Sequence, residues 1–118
     1  MSESNVLLAE INYIKNKVNS IEKIEILNLR SNKTLKEEYI GLFKADNLLF
    51  SDYQAVDGSR TQRDIATHIS TTEMSVSRKL GVLAEYGLIE INTVVGKKKI
   101  YQHTVAEKAF GLTKVEIE

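Results

Sequence analysis

Residues 61–89 read TQRDIATHISTTEMSVSRKLGVLAEYGLI, and their periodicity decides the fold. Ile65, Ala66, Ile69, Val76, Leu80 and Leu83 fall at the spacings that pack two crossed helices against each other. Thr71 and Thr72 supply the turn between them and a hydroxyl N-cap for the second helix. The outward positions of that second helix, Glu73, Ser75, Ser77, Arg78 and Lys79, are short or charged, as a helix entering a DNA groove requires. The helix is expected over about 73–86, with Val76, Leu80 and Leu83 turned inward.

Beyond Gly87, LIEINTVV is β-branched and partly alternating, GKKK intervenes, and IYQHTV resumes the strand pattern. The spacing predicts a hairpin over 88–104, with Gly96 at a tip where positive φ is needed. Lys97, Lys98 and Lys99 project from that tip. Beside a pair of DNA-reading helices they suit phosphate or the minor groove. The alternative is that they keep an exposed hairpin soluble and protect its edge.

Taken together, Ile65-Ala66, Ile69, Ser75-Val76-Ser77-Arg78, Leu80, Leu83 and Gly87-Leu88-Ile89, followed by the hairpin, resemble the winged helix-turn-helix transcriptional regulators of the broad MarR/ArsR-like group. The resemblance covers roughly residues 45–112. Ser70 departs from it, standing in the turn where that family often has glycine. The resemblance implies a mainly α fold with a small β-hairpin wing (α+β), a helix-turn-helix over 61–86, and double-stranded DNA as the partner.

The first thirty residues read differently. Leu7, Ile11, Ile14, Val18 and Ile21 step by four, three, four and three, the spacing of a coiled-coil seam. A seam this short is marginal alone in water, so it pairs with a second copy or folds against its own chain. Homodimerisation is the expected use, because helix-turn-helix proteins read paired half-sites. The repeat fades after Ile21, where Ile24, Ile26, Leu27 and Leu29 crowd together. The expected organisation is an N-terminal amphipathic helix over 1–30 and a winged domain over 31–118.

RSNK at 30–33 reads as the break between them. Thr34-x-x-Glu37 then suggests a capping box for a helix carrying Tyr39, Leu42 and Phe43. A further helix over about 47–56 puts Leu49, Tyr53 and Val56 on one stripe and stops at Asp57-Gly58. Thr61-x-x-Asp64 and Thr104-x-x-Glu107 repeat the capping pattern, and Gly111 ends the last helix. Tyr13, Tyr39, Phe43 and Tyr53 either line a small-molecule pocket or fill the core. No effector is legible in the sequence.

Composition bounds the rest. The 118 residues carry 16 basic and 16 acidic side chains, a net charge of zero, distributed unevenly. Residues 60–108 hold eight Lys/Arg against five Asp/Glu, whereas residues 1–59 hold seven against nine. The positive part coincides with the expected DNA-reading module. Cysteine is absent, which excludes disulfides and thiolate metal sites. Without an apolar run of membrane-spanning length or a basic-then-apolar leader, the expectation is a cytoplasmic protein with no membrane contact.

No catalytic constellation is present. His68 and His103 lack ligand or base partners at a recognisable spacing, and the glycines form no phosphate-cradling loop. The sequence therefore points to a non-enzymatic, cofactor-free and metal-free DNA-binding protein, most simply a dimeric transcriptional regulator. Thr61, Gln62, Arg63 and Thr72 would meet phosphate at helix N-termini, and Ser75, Ser77 and Arg78 would reach bases or nearby phosphates. For Arg78, a bidentate contact to guanine and a phosphate contact are both open. The rival function is a winged-helix protein–protein module, which near-zero net charge and Glu73 at the helix start favour.

Overall fold

Among the residues described, 3–117, the computed structural model contains six α-helices and one two-stranded antiparallel hairpin. Within α1 (Glu3–Arg30), the side chains of residues 3–8, 11, 13–16, 18 and 19 lie outside the description. Four of the five seam positions, Leu7, Ile11, Ile14 and Val18, fall in that set; the fifth, Ile21, is exposed. After α1 come α2 (Lys33–Ala45), α3 (Asn47–Ala55), α4 (Gln62–His68), α5 (Glu73–Glu85), β1 (Ile89–Val95), β2 (Lys98–His103) and α6 (Val105–Phe110), then a single 3-10 turn at Leu112–Lys114. Among the described residues, no helix is long and apolar enough to cross a membrane.

Side chains close most helix starts. Asn32, not Thr34, caps α2 by accepting from the Leu35 amide at 3.1 Å, so the helix begins one residue before the expected capping box. Asp46 both ends α2 and caps α3, its extended backbone (φ −144°) turning the chain within one residue. Thr61 and Asp64 form the expected reciprocal box on α4, and Thr72 caps α5. Thr104 caps α6 without its expected partner, since Glu107 is used elsewhere. Its carboxylate accepts from the Tyr53 hydroxyl at 2.8 Å and from the Thr113 amide and hydroxyl at 3.0 and 2.8 Å, fastening the C-terminal turn to α3.

Every element from α2 onward gives side chains to one core. Tyr39 and Phe43 of α2 meet Leu49 and Tyr53 of α3, Ile65 of α4, Val76, Leu80 and Leu83 of α5, Leu88 before β1, and Phe110 and Leu112 at the C-terminus. Full burial of one such side chain contributes roughly 1.5–3 kcal/mol. Tyr39, Phe43 and Tyr53 are thus core residues, and the side chain of Tyr13 lies outside the description. Burial, reinforced by Glu107, pushes the Tyr53 hydroxyl far above its ordinary range and keeps it a donor. The Tyr39 hydroxyl donates to the Tyr86 carbonyl at 2.9 Å, tying α2 to the end of α5.

The C-terminal part of α1 docks on α6. Leu29 packs on the core, Glu22 pairs with Lys108, and Arg30 donates to the Lys108 carbonyl at 3.4 Å. Glu22, Ile26 and Leu29, spaced four and three apart, share the half-buried face. Ile21, Ile24 and Leu27 are 56, 57 and 62% exposed, so α1 leaves a second apolar face in water.

Candidate nucleic-acid interface

The turn between α4 and α5 occupies residues 69–72 and depends on one left-handed residue. Ser70 has φ +56°, the conformation glycine adopts most readily, and the Thr71 amide closes the turn on the Ala66 carbonyl at 2.9 Å. Val76, Leu80 and Leu83 are buried, which fixes the roll of α5. With a turn every 3.6 residues, the opposite side then carries Met74, Arg78, Gly81 and Glu85, all exposed, with Ser77 exposed at its flank. Gly81 leaves the middle of that side without a side chain.

The hairpin is held beside α4 by the loop that precedes it. The Gly58 amide donates to the Tyr101 carbonyl at 3.0 Å, and Asn92 Nδ2 donates to the Gly58 carbonyl at 2.8 Å. Asn92 sits where the register slips between Ile91 and Thr93, a bulge that interrupts the β1 alternation. The expected four-residue lysine tip is shorter in fact. Val95 pairs with Lys98 and Val94 with Lys99, so only Gly96 (φ +63°) and Lys97 form the turn. Lys98 and Lys99 are therefore successive strand residues whose side chains leave opposite faces. Ile100 is buried, which turns Lys98 toward the body of the protein.

These elements border one depression of about 280 Å³, lined by Thr61, Gln62, Arg63, Glu73, Lys97, Lys98 and Lys99. Arg63 and Glu73, both largely exposed, pair at 3.9 Å along its lining. Glu73 thus has a cationic neighbour and also sits in the first turn of α5, where the helix dipole favours a carboxylate. Asp64 is held below the ordinary carboxyl range, first by the Thr61 amide, then by the Thr61 side chain, with a smaller contribution from Lys98. No family model, curated protein or solved structure matches this chain.

A second, shallower depression on α5 is lined by Thr72, Met74, Ser75, Arg78 and Lys79. Arg78 and Ser77 are exposed, whereas Ser75 is half-buried. Lys79 departs from the expectation. Only 22% of its side chain is exposed, and its ammonium pairs with Asp46 at the α3 N-cap, so it joins α5 to α3 instead of reaching outward. The hydroxyls of Thr61 and Thr72 accept from their own helices; the Thr61 side chain also hydrogen-bonds the Asp64 carboxylate, whereas Thr72 can still turn its O–H to an incoming oxygen.

Neither histidine belongs to the site. His68 is exposed on α4, and His103 Nε2 donates to the Tyr53 carbonyl at 2.8 Å. Among the described residues, no three His, Asp or Glu side chains come together as a metal site. Sequence reasoning passed over Met74, although its place four residues before Arg78 puts both on one helix face. It also passed over Asn92, whose polar side chain between two β-branched runs was the available sign of a bulge.

Proposed function

We propose that this chain is a dimeric winged helix-turn-helix protein that binds double-stranded DNA sequence-specifically and regulates transcription. One observation carries the reading: α4, α5 and the hairpin bring Arg63, Glu73, Lys97, Lys98 and Lys99 to a single depression. In this reading α5 lies in the major groove with Arg78 among the base edges, and the hairpin lies on phosphate or in the minor groove. Thr61, Gln62 and the Thr72 hydroxyl meet the backbone between them.

Fluorescence anisotropy over a salt series tests this, using the duplex upstream of the protein's own gene and a scrambled control. Tight, salt-dependent binding that prefers the upstream duplex is expected. Arg78→Ala should weaken specific binding by about 5–100-fold, as removal of one bidentate base interaction of roughly 1–3 kcal/mol implies, and leave the scrambled duplex much less affected. Equal weakening on both duplexes would make Arg78 a phosphate contact.

The rival reading, a protein–protein module without DNA contact, draws on Ile91, Val94 and Val95, which are half-exposed or more along β1. Absence of binding to either duplex at low salt decides for it.

Pairing of two copies is proposed through α1, whose exposed Ile21, Ile24 and Leu27 support a partner on the side away from α6. Light scattering should give about twice the 13.3 kDa chain mass. Ile24→Asp places a charge on that face without touching the core and should halve the mass; an unchanged value would place the interface elsewhere.

A further inference from the structure

Met74 is 65% exposed in the first turn of α5, on the outward side with Arg78. The core does not use it, and among the described residues it is the single methionine. It lines the same shallow depression as Thr72, Ser75 and Arg78. Its neighbours there are otherwise polar, so the depression offers one apolar, flexible, polarisable group beside one guanidinium.

We propose that Met74 is a base-reading residue, which packs on the C5-methyl of a thymine within one or two base pairs of the base contacted by Arg78. The inference rests on the DNA-binding reading above. The thymine methyl is the one apolar group that unmodified base pairs present in the major groove, and it is the natural counterpart of an exposed thioether chain. Met74 stands at the N-terminal end of α5, the end that a groove-bound helix presents to base edges. Residues four apart on a helix face lie about 5–6 Å from each other, which spans one to two base steps of 3.4 Å. Thr72 is the N-cap and precedes the helix proper, and Glu73 pairs with Arg63, so Met74 is the first unpaired outward side chain within α5.

The test uses the full chain and the duplex it binds best from a randomised pool. Each thymine is replaced in turn by deoxyuridine, which removes the methyl and leaves every hydrogen-bonding group. The wild-type chain should bind about three- to ten-fold more weakly when one particular thymine is replaced, the effect of one or two buried carbons. Met74→Ala should bind the original duplex more weakly and no longer distinguish thymine from uracil there, while Arg78→Ala keeps the distinction. Met74 is exposed, so thermal unfolding of its variant should match the wild type.

Selective binding with indifference to every uracil substitution, or a methyl preference that survives in Met74→Ala, would overturn the assignment and leave the DNA reading intact. Failure of the wild-type chain to bind any duplex would remove both.

Discussion

Asp52→Asn should stabilise the protein at neutral pH by about 1–3 kcal/mol, with the gain vanishing toward pH 4. Asp52 is fully buried on α3, and neither carboxylate oxygen has a hydrogen-bond partner among the described residues. Burial pushes its pKa up from 3.8 to about 6, against the pull of Lys79 and with a small push from Asp46. The folded pKa lies above the unfolded one, so the sign is opposite to that of an ordinary paired carboxylate. Below about pH 4 both states hold the proton and the group has no effect. Between about 4 and 6 the unfolded chain ionises while the folded one does not, and stability falls as pH rises. Above 6 the full cost of a buried, unpartnered charge remains. Asparagine keeps the shape and cannot ionise, so its stability curve should lack that fall.

Three other carboxyls act in the opposite direction and at lower pH. Asp46 is lowered first by the Lys79 side chain, Asp57 by the Ser59 amide, and Asp64 by the Thr61 amide. Their stabilisation is present above the unfolded value and is lost as pH falls below it, which leaves the interval from 4 to 6 to Asp52. Urea unfolding of both proteins from pH 4 to 8 checks this. Curves that stay parallel across that range would mean that Asp52 is not the group responsible.

The parts of the fold that follow from local rules were legible in the sequence. Thr61 and Asp64 formed their box because both partners lie within one turn. Val76, Leu80 and Leu83 were readable as core because helical periodicity alone places them on one face. What could not be read depends on residues far apart in the chain. Glu107 leaves its cap for Tyr53, 54 positions away, and Lys79 turns inward because Asp46, 33 positions away, receives it.

The candidate site divides along the same line. The residue types on α5 were visible, but the convergence of Arg63 with the hairpin depends on Gly58, Tyr101 and Asn92 holding the hairpin against the loop before α4. Asp52 gave no signal at all, since a single acidic residue in a helix is usually solvated. Four of the five seam positions expected on α1 have side chains outside the description, and spacing alone encodes no partner for them.

Replacing Lys97, Lys98 and Lys99 together with alanine should weaken specific and non-specific duplex binding alike, by about 10–100-fold near 0.1 M salt. All three are exposed, so the folded state is little affected. The informative quantity is the salt dependence. Removing one lysine–phosphate interaction lowers the slope of log K against log salt by about 0.9, and three lysines at a common tip would account for close to three such interactions. The hairpin register argues for fewer. Lys98 shares its strand face with buried Ile100 and lies close enough to Asp64 to lower it, so it points into the depression beside Arg63. Lys97 occupies the turn, whereas Lys99, although it borders the same depression, sends its side chain from the opposite face of β2. The slope should therefore fall by about two, with Lys97→Ala and Lys98→Ala each accounting for roughly one and Lys99→Ala changing it least. A fall of three shared equally would mean that the duplex engages both faces of the hairpin, as when the whole strand pair enters the minor groove. A fall near zero would take the hairpin out of the interface and leave α5 alone to account for any binding.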